Sequence, residues 1–264
     1  MSICNDQSTT FLRNQGYNVV RHPSLGIRPL DLIGHQAGES LYLSHLNQLI
    51  GESADGLPKV EENIESSDIN GQSSSKMSIA IGANVLGNLI GAMGGTLGVR
   101  TSYTDAQRVE FGYVDVFNDL VVPLDVGNYL RDADVDAGNL ILQQYILGRG
   151  ELYLITKTAK SRKFSVKYER KNGTAAQVDL EILPKLTGGN VTVDSSKEVN
   201  GLLTFSGNTP LVFGFQCFRV GVANGELALT SVRAGNVALA AGAAALEPPD
   251  FLADQGVVDL RFPV

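Results

Sequence analysis

Tryptophan is absent from this chain, cysteine occurs twice and histidine three times in 264 residues, and each shortage closes off some chemistry. Two cysteines, Cys4 and Cys217, cannot build the disulfide framework of a small secreted domain. No Cys and His stand at metal-ligand spacing. The histidines, His22, His35 and His45, all fall in the first fifth of the chain on expected strands or loops, where a hydrogen-bonded structural role is the expectation. No Ser or Cys occupies a nucleophile elbow, and the glycines of "GAMGGTLG" do not match a phosphate-binding fingerprint. The chain therefore reads as a protein without enzymatic activity, cofactor or metal.

Basic excess is lacking too: the net charge of -7 argues against a general nucleic-acid binder. No run of about 18 apolar residues offers a membrane-spanning helix. The sequence opens without a basic-then-apolar leader, so a reducing cytoplasm is the expected setting and Cys4 is not expected to be a secreted-lipoprotein cysteine.

What is present is a composition that folds. With 43% hydrophobic and 19% charged residues, the chain can bury one sizeable core. A short polar helix is expected over 6–14. Strand patterns follow at "YNVVRH" and "RPLDLIGH", on either side of a turn around Pro23 to Gly26. Residues 52–75 read as a loop in which "PKVEENIE" can form a strand. Further strand patterns stand at "VRTSYT" and "RVEFGYVDVF", and helices are expected over 124–130 and 138–147. After Gly150, strands return at "ELYLITKTA", "RKFSVKYER", "VDLEIL", "VTVDS", "GLLTFS" and "LVFGFQCFRVGV". The fold class is α+β, a large twisted antiparallel sheet with peripheral helices.

Three stretches stand apart. Residues 77–97 show helical spacing of Ile79, Leu86, Leu89, Ile90 and Met93, with "SSS" at 73–75 as caps. Five interior glycines weigh against that helix. It is either a core helix packed closely through its glycines or one held only by its neighbours and able to refold. The hairpin after Gly150 concentrates Lys157, Lys160, Arg162, Lys163 and Lys167 in an acidic protein. Those cations either protect a sheet edge or form a surface drawn to anionic lipid. A strand with one apolar face is also the pattern of a membrane-barrel strand. The closing stretch joins a small-residue linker, Ala240 to Leu246, to Phe251, Leu252, Val257, Val258, Leu260 and Phe262 after Pro248 and Pro249. That much apolar surface is unusual in a terminal segment.

"GYNVVRHPSLGIRPLDLIG", "GELYLITKTAKSRKFSVKYER" and "TPLVFGFQCFRVGV", in that order and preceded by Cys4, resemble the bacterial gasdermins. The second and third blocks are also similar to the pore-forming domain of animal gasdermins, whose large carboxy-terminal repressor domain this chain lacks. The resemblance implies a pore-forming domain over 1–245 and a short autoinhibitory tail over 246–264. The tail would cover the sheet through Phe251, Leu252, Val257, Leu260 and Phe262. A protease, often caspase-like in this family, would cut near Ala243, Ala244, Ala245 and Leu246. Cys4 maps to the cysteine that carries a palmitoyl chain.

Two regions, near 61–117 and 151–193, would refold into membrane-spanning hairpins of a large homo-oligomeric pore. The basic patch Lys157, Lys160, Arg162, Lys163 and Lys167 would then meet anionic membrane lipid. By the same resemblance the protein is cytoplasmic when intact. After cleavage it acts at the bacterial inner membrane, killing the cell as an anti-phage defence. Six buried apolar side chains supply roughly 10 kcal/mol gross, offset by the ordering of the segment, so such a tail holds mainly because it is tethered. The alternative from another class is a soluble β-rich binding or scaffold protein using the basic hairpin 157–171.

Overall fold

The computed structural model describes residues 12–48, 56–66, 75–77, 106–131, 139–146, 148–170, 191–199, 202–223, 226–230, 252 and 258–262. Among them the alternating β-branched and aromatic stretches form one eleven-stranded sheet. In chain order the strands are β1 (Asn18–Ser24), β2 (Asp31–Gln36), β3 (Glu39–His45), β4 (Val60–Glu65), β5 (Ser75–Met77) and β6 (Ala106–Val121). After two helices come β7 (Glu151–Arg170), β8 (Val191–Val199), β9 (Leu202–Ala223), β10 (Glu226–Thr230) and β11 (Leu260–Arg261). Two of the helices between strands are α1 (Pro123–Arg131) and α2 (Leu140–Ile146); residues 12–14 are helical and Leu46–Gln48 form a single 3-10 turn.

Six strands run in the order β1-β9-β7-β2-β3-β11. Neighbours are antiparallel except β11, which lies parallel to β3 with Leu260 opposite Ser40 and Arg261 opposite Leu41. Two residues before β11, Val258 forms a parallel bridge to Val20 of β1, and its N–H donates to the Val19 carbonyl at 2.7 Å. The ends of the path therefore meet, and the tail is the stave that closes a six-stranded ring.

Because side chains alternate between faces, each stave supplies two cores. Val20, Ile33, Tyr153, Ile155, Val212, Phe215 and Cys217 fill the ring interior with Ile27, Leu252, Val258 and Leu260. The opposite set, including Leu32, Leu152, Leu154 and Val220, packs outward against Val126 and Leu130 of α1 and Tyr145 of α2. A third cluster seats Leu12, Tyr17 and Val19 on Val116, Ala159 and Phe213. Strands covered on both faces read as nearly continuous apolar runs, which is why "ELYLI" and "LVFGFQCF" lack clean alternation.

Local chemistry sets the helix ends. Pro123 opens α1, where the missing N–H costs nothing, with Asp125 in its first turn and Arg131 in its last. Asn139 caps α2 by accepting the Ile141 N–H at 3.0 Å. Gly148, at φ 78°, ends it. Tyr145 lies in a slot made by two glycines: a Cβ on Gly34 would collide with its ring, and one on Gly150 would sit 2.8 Å from it.

Beyond the ring the sheet continues. From Lys157 onward β7 pairs with β6 in place of β2, β6 carries β4 and β5, and β9 carries β8. The strand patterns at 151–159 and 162–170 join into one 20-residue strand, and those at 201–206 and 211–222 into one of 22 residues.

The expected fold class is observed, with one amendment: the tail pairs parallel, so the otherwise antiparallel sheet is mixed. The two helices expected near 124–130 and 138–147 are present. Ser75, expected as a helix cap, instead begins β5, where Ser75–Met77 pairs with Phe111 to Val109. Residues 78–97, "VRTSYT" and "VDLEIL" lie outside the described residues.

Candidate functional site: the tail seat and the basic hairpin

The tail touches the ring through backbone, apolar and polar contacts together. Leu252, Val258 and Leu260 are 6%, 4% and 7% exposed and enter the interior cluster with Phe215 and Cys217. The Leu252 N–H donates at 2.8 Å to Oδ1 of Asn18, whose Nδ2 donates to the Cys217 sulfur at 3.6 Å. Arg261 pairs with Glu39 at 3.1 Å on the surface. Phe262 is half-exposed but stacks on Tyr42, ring centroids 5.1 Å apart, with its edge against Gly26. Of the residues expected to hold the tail, Leu252, Leu260 and Phe262 are therefore in contact. The inward valine is Val258, while Phe251 and Val257 lie outside the described residues.

Beneath Tyr42 sits a buried carboxylate. Asp31 is fully buried, accepts the Arg28 N–H at 2.7 Å and the Tyr42 O–H at 3.3 Å, and faces the Arg28 guanidinium at 3.8 Å. Burial outweighs these contacts and pushes its carboxyl up to about 6. The neighbouring Tyr42 phenol is raised as well, by its own burial and then by the Asp31 charge.

The basic hairpin is not an open field of cations. Lys160 pairs with Asp119 at 2.6 Å and Lys163 with Asp115 at 2.6 Å, both carboxylates coming from the adjacent β6. Lys157 lies over the Tyr17 ring, 5.5 Å from its centroid. Arg162 is exposed, and the Lys167 side chain lies outside the described residues. Asp119 also accepts the N–H of Asn63, a non-glycine residue at φ 58° in the bulge of β4. Asp115, at φ 51°, lies between Val114 and Val116, which pair with Lys163 and Ser161, and there Ser161 donates its hydroxyl proton to the Val114 carbonyl and accepts the Lys163 N–H. Counting acids only within the hairpin sequence misses these partners, which stand 41 and 48 residues earlier.

Cys4 and Ala243 to Leu246 lie outside the described residues. Cys217 is a buried thiol that accepts from the Asn18 amide. His35 bonds Ser40 at 3.0 Å and His45 bonds Asn47 at 3.1 Å, both structural contacts. Among the described residues no helix is long and apolar enough to cross a membrane, which leaves crossing by strands open. The described residues gather no group of side chains able to hold a metal ion. The contacts that sequence reading missed, Asn18, Glu39, Tyr42, Asp115 and Asp119, carry no local signal, because each acquires its role from a distant strand.

A sequence model described as the Bacterial Gasdermin Family matches residues 20–226. The chain is 39% identical over 264 residues to a gasdermin of Vitiosangium sp., covering 99% of each chain. It is 34% identical to one from a Desulfuromonadales bacterium, covering 84% of each. The solved structure of a bacterial gasdermin from Bradyrhizobium tropiciagri shares the fold at 17% identity, with a TM-score of 0.69 and 98% coverage of both chains. The chain thus belongs to the bacterial gasdermin family, and with it to the pore-forming cell-death proteins.

Proposed function

We propose that residues 246–264 hold a pore-forming domain, residues 1–245, in its closed state, and that a protease releases it by cutting near Ala243 to Leu246. The observation that carries this reading is the tail's place as the closing stave of the ring, with Leu252, Val258 and Leu260 in the interior. Removing it opens the edges of β1 and β3 and uncovers the cluster around Phe215 and Cys217. An unpaired edge and an exposed apolar interior are both costly in water. Burying three side chains contributes roughly 5–9 kcal/mol gross, which is small once ordering is subtracted, so the covalent tether decides occupancy.

The released domain then assembles as a homo-oligomer in the bacterial inner membrane, breaking it as an anti-phage response. The regions 61–117 and 151–193 supply the spanning hairpins. β6 and β7 already pair antiparallel from Leu120 opposite Lys157 to Ala106 opposite Arg170, longer than the roughly 9–11 residues a membrane strand needs. Lys157, Lys160, Arg162, Lys163 and Lys167 meet anionic lipid headgroups once Asp119 and Asp115 of β6 release Lys160 and Lys163. A palmitoyl chain on Cys4 adds membrane affinity at about 0.8 kcal/mol per buried CH₂. The activating protease is caspase-like, and the intact chain waits in the cytoplasm.

Expression in a bacterial host tests this. A chain ending at Leu246 is expected to stop growth and admit a membrane-impermeant dye, while the full chain leaves cells intact. Equal growth of the two strains at matched expression would remove the autoinhibitory reading.

A further inference from the structure

One buried side chain stands between the tail and the core. Asn18 of β1 is 2% exposed. A peptide N–H can only donate, so the Leu252 N–H must meet the amide oxygen, which leaves the NH₂ group for the Cys217 sulfur. The amide is thus aimed from one side by the core and reads the tail from the other. Its backbone is anchored as well, since Asn18 pairs with Phe215 of β9.

The strand pairing of the tail tolerates sliding, and its side-chain contacts beyond the pairing, Arg261 with Glu39 and Phe262 on Tyr42, lie at the exposed rim. Strand pairing at Val258 and at Leu260–Arg261 repeats every two residues, and a two-residue slip keeps apolar side chains facing inward. Main-chain pairing of this kind gives affinity without strict register. The Asn18 bond does not survive a slip at Leu252 itself, because a two-residue step carries that N–H about 6.6 Å away. The partner residue is unusual in a second respect: Leu252 also places its side chain in the cluster that holds Cys217.

We infer that Asn18 is the positioning residue that fixes the register of the tail in its seat, selecting the one alignment in which Leu252, Val258 and Leu260 all reach the ring interior. The inference rests on the reading of the tail as the closing element. A chain whose tail docks out of register would leave interior side chains uncovered and loosen the seat before any cut.

Hydrogen exchange of the uncut chain in lipid-free solution, followed by mass spectrometry of peptides, tests this. Asn18→Ala is expected to speed exchange over 252–262 by about 10-fold, the usual worth of one buried hydrogen bond, while β2 and β7 stay as protected as in the native chain. Asn118→Ala serves as the control: that amide is also buried and bonded, to Tyr17 at 2.9 Å, so it should loosen the sheet without singling out the tail. Compared with Leu252→Ala, which shortens the same buried side chain but keeps the N–H, Leu252→Pro removes the donor from the tail side. It should speed exchange over 258–262, and adding Asn18→Ala to it should add little, because both remove the same bond.

Unchanged protection of 258–262 in Asn18→Ala or in Leu252→Pro overturns the inference, as does a uniform loss across all strands matching Asn118→Ala. Because no membrane is present, this outcome is separate from that of the membrane reading: a released domain inert on lipid leaves the exchange result standing.

Discussion

Lys160 and Asp119 face each other across β7 and β6 at 2.6 Å, with side chains only 12% and 14% exposed, and the same carboxylate accepts the Asn63 N–H at 2.8 Å. One acid therefore ties three strands together at the point where the sheet leaves the ring. Reversing the charge in Lys160→Glu should cost the uncut protein about 2–3 kcal/mol, because it sets two carboxylates together in a poorly solvated site. The same change at Lys163 should cost less than about 1 kcal/mol, since that pair is half-exposed and screened. Denaturant melts of the two variants check the order. Equal losses would mean that the Lys160 site is as wet as the other.

The tail should be graded by burial. Leu252→Asp and Leu260→Asp place an unpaired carboxylate in the ring interior and are expected to unseat the tail, since several kcal/mol of desolvation exceed what it can absorb. Phe262→Asp, at a half-exposed position beside Tyr42, should release it only in part. Protease susceptibility of 240–250 at increasing times measures seating, and a Phe262→Asp variant as labile as Leu260→Asp would contradict the grading.

Asp31 gives a pH signature. Its carboxyl sits at about 6 in the folded chain, against about 3.9 when unfolded. The folded state therefore holds the proton more tightly. The stability this contributes is complete below about pH 4, falls as pH rises toward 6 and is gone above that. Asp31→Asn should flatten the slope between those limits and raise stability at pH 7 by on the order of 2 kcal/mol, while keeping an acceptor for the Arg28 N–H. Thermal melts from pH 4 to 7 decide it; a slope unchanged in Asp31→Asn would place the titrating group elsewhere.

Cys4→Ala should leave the uncut chain folded and inactive, but lower killing by the released domain in cells able to acylate it. Intact mass shows whether the acyl group is present. Undiminished killing by the variant in such cells would take the lipid out of the mechanism.

How far sequence reaches here depends on whether a signal is local. The β7 and β9 strands, the two helices and the apolar tail announce themselves through β-branched and aromatic runs, Pro123 and the hydrophobic residues after Pro249. β3 was not legible: its hairpin turn, Ala37 and Gly38 at φ 51° and 81°, has both residues left-handed as a type I′ turn requires. Such turns are usually marked by Asn-Gly, and Ala-Gly gives no such notice. The merging of 151–159 with 162–170 was hidden for a related reason, since the bulges that absorb register shifts between β6, β7 and β9 look like breaks in alternation. The tail was readable as apolar but not as a strand, because β11 is two residues long and pairs parallel with a segment 220 residues earlier. Asn18, Asp115 and Asp119 are ordinary polar residues until the fold supplies their partners.

The most direct test of the central claim is dye release from liposomes containing anionic lipid, with purified chain ending at Leu246 beside the full chain at equal concentration. The account predicts rapid release by the shortened chain, none by the full chain until a protease cuts it, and weaker release as salt screens the lysines. A shortened chain that stays folded and leaves the liposomes sealed would contradict it.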